Sequence, residues 1–124
     1  MRLPTEAEWE WAYRAGAGTA FWFGDSITTE KANYDGSKVD GIGTPGAKRG
    51  ETVAVGAFPA NPWGLHEMHG KVFQWCRDSY GPYPPGPVDD PCITTTTKND
   101  DHVLRGGCWI HPASKCRFGA RVVP

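Results

Sequence analysis

The chain has 124 residues, with 13 Lys+Arg against 14 Asp+Glu and a formal net charge of -1. The cationic excess a nucleic-acid binder concentrates on one face is therefore missing. No apolar run approaches the roughly 20 residues of a membrane span, and the first segment, MRLPTEAEWE, is polar and acidic, so neither a transmembrane helix nor a signal peptide is expected and the cytoplasm is the default location. With 16 Gly, 11 Pro and 39% hydrophobic residues including six Trp, the composition predicts one small, loop-rich α+β domain around a modest core.

In chain order, Pro4-Thr5-Glu6-Ala7-Glu8 is the first signal. The Thr5 hydroxyl can accept from the Glu8 amide while the Glu8 carboxylate reaches back to the Thr5 amide, which is a capping box. Trp9, Ala12 and Tyr13 then fall on one face and Gly16 offers a stop, predicting a helix over 6–15. Periodicity is lost from Gly16 to Gly50, where Phe21-Trp22-Phe23 and four Gly-containing turn pairs predict a loop pinned by aromatics. A short strand is expected over Thr52 to Phe58, then a Pro- and Gly-forced turn into a single helical turn at Leu65 to Met68. Val72 to Arg77 alternates with period two and reads as a strand with Phe73 and Trp75 on one face. Residues 81–101 hold five prolines and read as a long surface loop; His102 to Trp109 and Arg117 to Val123 read as closing strands. Gly106-Gly107 reads as a close backbone approach with Trp109 packed beneath, and Trp22, Trp63, Tyr80 and Tyr83 read as either binding platforms or plugs of the core.

The polar residues leave choices open. Arg105, Arg117 and Arg121 are expected to pair with Glu6, Glu8, Glu10 or Asp78, or else to bind an anionic ligand. His66 and His69 read as surface or turn histidines. Cys76, Cys92, Cys108 and Cys116 allow three disulfide pairings, but with no secretory signal reduced thiols are the default. Cys108-x2-His111-x4-Cys116 resembles part of a zinc knuckle that would need His102 or Cys92 as a fourth ligand; Pro112 and the strand context weigh against it.

Taken in order, RLPTEAEWEWAYRAG (2–16), FWFGD (21–25), ANYDG (32–36), VGAFPANPWGLHEMHGKVFQWCRD (55–78), VLRGGCW (103–109) and CRFGAR (116–121) resemble the formylglycine-generating enzyme, or sulfatase-modifying factor, family. The resemblance implies a C-type-lectin-like fold with little regular secondary structure. It also leaves function open, because enzymatic members oxidise a client cysteine to formylglycine with oxygen and copper held by two cysteines, whereas other relatives make ergothioneine-pathway sulfoxides, serve in iron-alkaloid maturation or gliding machinery, or display variable ligand-binding surfaces. The chain starts at the helix motif and stops soon after CRFGAR, short of the family's N-terminal segment and last strand. A single partial domain over 1–124 is therefore expected, and missing sheet partners predict a homo-oligomer.

Under that resemblance the catalytic candidates are Cys108 and Cys116, although they are eight positions apart where the family's pair is about five apart; the simpler expectation is that Cys116 is a buried core thiol and Cys108 a small packing residue. His111 lies near the place of the first family cysteine, so His111 and Cys116 form a second candidate copper pair. For calcium the candidates are Asn33 and the Tyr34 carbonyl, with Asp40 or Glu51 as the only nearby acids; at the family's other calcium motif Lys71 and Gln74 replace the oxygen ligands, so that site is expected to be empty. No cofactor is expected, copper and calcium being the two to test. The expected function is therefore a non-catalytic domain that binds an unidentified small ligand or protein, and neither nucleic acid nor membrane. Its surface would be built from loops 79–101 and 109–116, with Trp109, His111, Lys115, Arg105 and Arg117 as binding candidates. The alternatives are the copper-dependent oxidase and a scaffold unit without ligand.

Overall fold

A computed structural model of the chain describes residues 1–38, 45–83, 85–87, 91–93 and 101–122. Among the described residues the regular elements are helix α1 (Glu6–Arg14), strands β1 (Gln74–Ser79) and β2 (His102–Arg105) and a single 3-10 turn (Ala113–Lys115). The rest is loop, as an α+β chain so rich in Gly and Pro requires.

Helix α1 begins where its local chemistry dictates. The Thr5 amide donates to Glu8 Oε1 at 2.8 Å and the Glu8 amide to Thr5 Oγ1 at 3.1 Å, completing the capping box. Trp9 and Tyr13 face inward. The helix ends at Arg14, one residue earlier than predicted, because Ala15 (φ 45°) and Gly16 (φ 87°) both take left-handed backbone and the Ala15 amide turns back to the Trp11 carbonyl.

β1 and β2 pair antiparallel, Gln74 opposite Arg105 and Trp75 opposite Leu104; an irregularity follows before Ser79 meets His102. On its other edge Leu104 exchanges both backbone hydrogen bonds with Val122, at 2.8 and 3.0 Å. The predicted strands are displaced or shortened. The first lies two residues later than 72–77 because Lys71 is left-handed (φ 64°); the alternation survives, with Cys76 and Asp78 inward and Trp75 and Arg77 outward. The second stops at Arg105, since Gly106 (φ 93°) and Gly107 (φ 71°) leave the extended region. A turn closed by the Ala120 amide on the Arg117 carbonyl breaks the third, leaving Val122 as its one paired position among the described residues. No strand forms over 52–58, where the Ala57 amide closes a turn on Ala54 and most side chains are exposed; nor does a helical turn form at 65–68, because Glu67 is left-handed (φ 54°).

Two apolar clusters make the core. Trp9, Tyr13, Met68, Cys76 and Val103 fill the space between α1 and the sheet, with Phe118 against them. Phe21, Ile27, Ala32, Tyr34, Ala113 and Cys116 fill the other, with Phe23 alongside. His69 joins the two, its ring 4.7 Å from Tyr13, 5.0 Å from Phe23 and 5.7 Å from Phe21. It is 3% exposed, so it is a core residue rather than the expected turn histidine; its Nδ1 has no hydrogen-bond partner, and burial pushes its pKa down to about 3.

A buried ionic clasp ties the ends of the chain together. The first residue of α1, Glu6, receives Arg105 at 2.6 Å and Arg121 at 2.5 Å, and Tyr83 reaches the same carboxylate at 3.4 Å. Arg105 also donates to the Phe118 carbonyl and to the Tyr83 hydroxyl. Asp78 accepts the Glu6 amide with one oxygen and the Ile93 amide with the other, placing an anion at the positive end of α1. Arg105 and Arg121 thus choose Glu6 among the open acids, whereas Arg117 stays exposed. No described helix is long and apolar enough to cross a membrane.

Candidate functional site

The candidate site is the loop that leaves β2. Gly106 and Gly107 turn the chain within van der Waals reach of its neighbours: a Cβ on Gly106 would sit 2.9 Å from the Met68 carbonyl oxygen, and one on Gly107 would sit 2.8 Å from Cys116 Sγ. The atoms nearest a Cβ at the two glycines come from Met68, Trp9, Gln74, Lys115 and Cys116. Beyond them the loop is fixed by its backbone. The Trp109 amide donates to the Lys71 carbonyl at 3.1 Å, the His111 amide to the Cys108 carbonyl at 3.0 Å, and the Asp35 amide to the His111 carbonyl at 2.9 Å. The 3-10 turn then returns the chain to the core at Cys116.

The two candidate catalytic thiols lie in different surroundings. Cys116 has no exposed surface, belongs to the Phe21 cluster, and directs its thiol to the Pro112 carbonyl at 3.8 Å. Cys108 is half-buried on the loop, with Sγ 3.4 Å from His111 Nδ1. The imidazole in turn meets the edge of the Phe73 ring at 5.0 Å. Burial holds the His111 pKa below the ordinary histidine range, and the nearby ammonium groups of Lys38 and Lys115 lower it further. Lys38 also donates to the Ile110 carbonyl at 3.0 Å, so the loop carries a cationic rim.

Of the binding candidates, Trp109 and His111 are half-buried on this loop, Lys115 and Arg117 are exposed beside it, and Arg105 lies in the interior within the ionic clasp. A concavity of about 250 Å3 lies over that clasp beside α1, with Glu10, Tyr83 and Ile93 on its walls. Sequence reasoning did not pair Cys108 with His111 as a dyad. The signal for it is the i, i+3 spacing across a Gly-led turn, which in sequence also fits part of a zinc set.

Copper between two thiolates needs both sulfurs turned to one ion; Cys116 Sγ donates to the Pro112 carbonyl within the apolar cluster, and Cys108 Sγ contacts His111 Nδ1. His111 turns its Nδ1 to Cys108. For zinc, the expected fourth ligands lie elsewhere, His102 against the Arg77 carbonyl and Cys92 near Asp78. For calcium, Asn33 Oδ1 is buried without a hydrogen-bond partner, an atom that suits a cation. Its surroundings do not suit one, because the Arg49 guanidinium donates to the Thr29 and Ala32 carbonyls beside it and the Tyr34 carbonyl already accepts the Gly36 amide. At the other motif Lys71 pairs with Glu67 at 3.0 Å, an internal cation within that turn. Asp40 lies outside the described residues. No three His, Cys, Asp or Glu side chains converge among the described residues.

Comparison with known proteins places these features in a family. The profile of the Sulfatase-modifying factor enzyme 1-like domain matches residues 1–123. The chain is 36% identical to a serine/threonine-protein kinase pkn1 of Chlamydia caviae over 87% of its own length and 16% of the kinase's. It is 35% identical to the formylglycine-generating enzyme of Streptomyces coelicolor over 93% of its own length and 38% of the enzyme's, and 32% identical to the mouse inactive C-alpha-formylglycine-generating enzyme 2 over 90% and 32%. Among solved structures, PvdO from Pseudomonas aeruginosa superposes with a TM-score of 0.79 at 30% identity, covering 99% of this chain and 46% of PvdO. The chain therefore spans less than half the length of these relatives, which include an enzyme and a protein named inactive, and across its own length it belongs to the formylglycine-generating enzyme family of sulfatase-modifying factor domains.

Proposed function

We propose that this chain is a ligand- or protein-binding domain of the family that does not make formylglycine through a cysteine pair. The observation that carries the reading is the difference between the surroundings of the two thiols: Cys116 is enclosed in an apolar cluster, and the half-buried Cys108 stands outside that cluster in contact with His111. An oxidase of the family type would need two thiolates facing one metal in a groove that a client peptide can enter. The surface offered instead is the loop 108–111 with its lysine rim, where Trp109 and the exposed Ile110 supply apolar area and Lys38 and Lys115 supply charge. Such a surface favours an anionic ligand or an acidic protein segment. The 35% identity to a formylglycine-generating enzyme supports the rival oxidase reading.

The test is an anaerobic copper(I) titration of the reduced protein against a competing chelator, followed by oxygen and a cysteine-containing sulfatase-motif peptide. The expected result is no tight stoichiometric binding and no peptide oxidation. Binding that Cys116→Ser abolishes, accompanied by peptide oxidation, would overturn the reading in favour of the oxidase.

A further inference from the structure

Four thiols occupy four different environments, and one of them is equipped for chemistry. Cys76 and Cys116 have no exposed surface, and burial pushes the Cys76 thiol up to about 12. Cys92 is partly exposed, but burial and the neighbouring Asp78 carboxylate hold its proton on. Cys108 combines partial exposure with a base at contact distance, His111 Nδ1 at 3.4 Å. The exposed ammonium groups of Lys38 and Lys115 lie near the His111 imidazole and rim the loop that carries Cys108. Asp35 is bound through its backbone amide to the His111 carbonyl, while its carboxylate accepts from Ser37 and faces the Lys38 and Lys48 ammonium groups at 3.7 and 3.4 Å. Behind Trp109, Glu67 is neutralised by Lys71. No uncompensated carboxylate is therefore found opposing a thiolate at Cys108 among the described residues.

We propose that Cys108 is a thiol-exchange site, activated by His111 and selective for low-molecular-weight disulfides that carry carboxylates. The inference does not rest on the binding function proposed above. In the exchange His111 Nδ1 takes the proton from Cys108 Sγ, and the thiolate attacks one sulfur of the small disulfide. The new sulfur–sulfur bond to the protein forms as the bond within the reagent breaks. The departing thiolate takes the proton from the imidazolium, so Cys108 is oxidised to a mixed disulfide, half of the reagent is reduced to a thiol, and no further oxidant is consumed. The lysine rim selects an anionic reagent by raising its concentration near the loop.

The test treats the reduced chain with oxidised glutathione at pH 7 and follows each cysteine by peptide mapping with mass spectrometry. Cys108 is expected to acquire the glutathione first, at least about tenfold faster than Cys92. His111→Gln keeps a polar partner but removes the base, and should slow the modification by about tenfold or more; His111→Phe, which keeps ring packing on Phe73, should do the same. Lys115→Glu should slow oxidised glutathione and spare cystamine, a cationic disulfide. Circular dichroism and an unchanged unfolding midpoint show that each variant is folded. Modification of Cys92 as fast as Cys108, or a folded His111→Gln protein reacting at the wild-type rate, would overturn the proposal.

Discussion

Replacing Glu6 by Gln probes the ionic clasp at its one anion shared by two guanidinium groups. The Glu6 and Arg105 side chains are 4% and 0% exposed, and Arg121 is 13% exposed, so the substitution leaves two largely desolvated cations without their counter-charge. Breaking a buried pair by removing one partner costs about 3–5 kcal/mol, whereas an exposed pair such as Arg2–Glu8 is worth at most about 1 kcal/mol. The clasp also joins α1 to β2, to the segment around Tyr83 and to the last described residues, so its loss releases long-range contacts together. At roughly 3–5 °C per kcal/mol for a domain of this size, Glu6→Gln should lower the melting midpoint by about 10–20 °C. Urea unfolding followed by circular dichroism measures the cost, with Arg2→Gln as the surface control. A cycle with Arg121→Met isolates the pair, and its coupling should exceed about 1.5 kcal/mol. A coupling below about 0.5 kcal/mol, or a Glu6→Gln protein as stable as the control, would refute the idea that this carboxylate holds the fold's ends.

Two further outcomes follow from residues the core encloses. His69 is neutral when folded, with a pKa of about 3 against an ordinary value of 6.5, so the unfolded chain binds a proton that the folded one refuses. Its contribution is therefore complete above pH 6.5 and is lost as the pH falls towards 3; between pH 6.5 and 5, before most carboxylates titrate, wild type should lose up to about 2 kcal/mol more stability than His69→Phe in urea unfolding. Gly107→Ala meets both a left-handed backbone (φ 71°) and contacts of 2.8 Å to Cys116 Sγ and the Lys115 carbonyl. It should cost about 2–4 kcal/mol, and Cys116→Ala, which makes room for the methyl group, should recover part of that loss in the double variant.

The most legible parts of this protein were those decided within a few residues. A capping box needs only Thr5 and Glu8 in register, so the start of α1 could be read to the residue, and its end missed by one because Ala15 joined Gly16 in left-handed backbone. The ordered motifs carried the family resemblance, and with it the fold, because they pin loops whose turns are set by local Gly, Pro and Asn chemistry. Strand limits were less legible. Alternation predicts period but not pairing, and the left-handed positions at Lys71, Gly106 and Gly107 cut two of the strands where apolar alternation ran on.

The candidate site shows the same division. Sequence alone supplied its inventory, the Cys108, His111 and Cys116 run with neighbouring lysines, and the acids open to Arg105 and Arg121. Tertiary structure decided which of these meet: Glu6 receives two arginines from more than ninety residues away, His69 fills the junction between clusters, and Cys116 turns inward while Cys108 turns to His111. Those choices depend on which atoms lose water together and on which partners lie close enough to compensate them, and both are properties of packed neighbours that residue order does not carry.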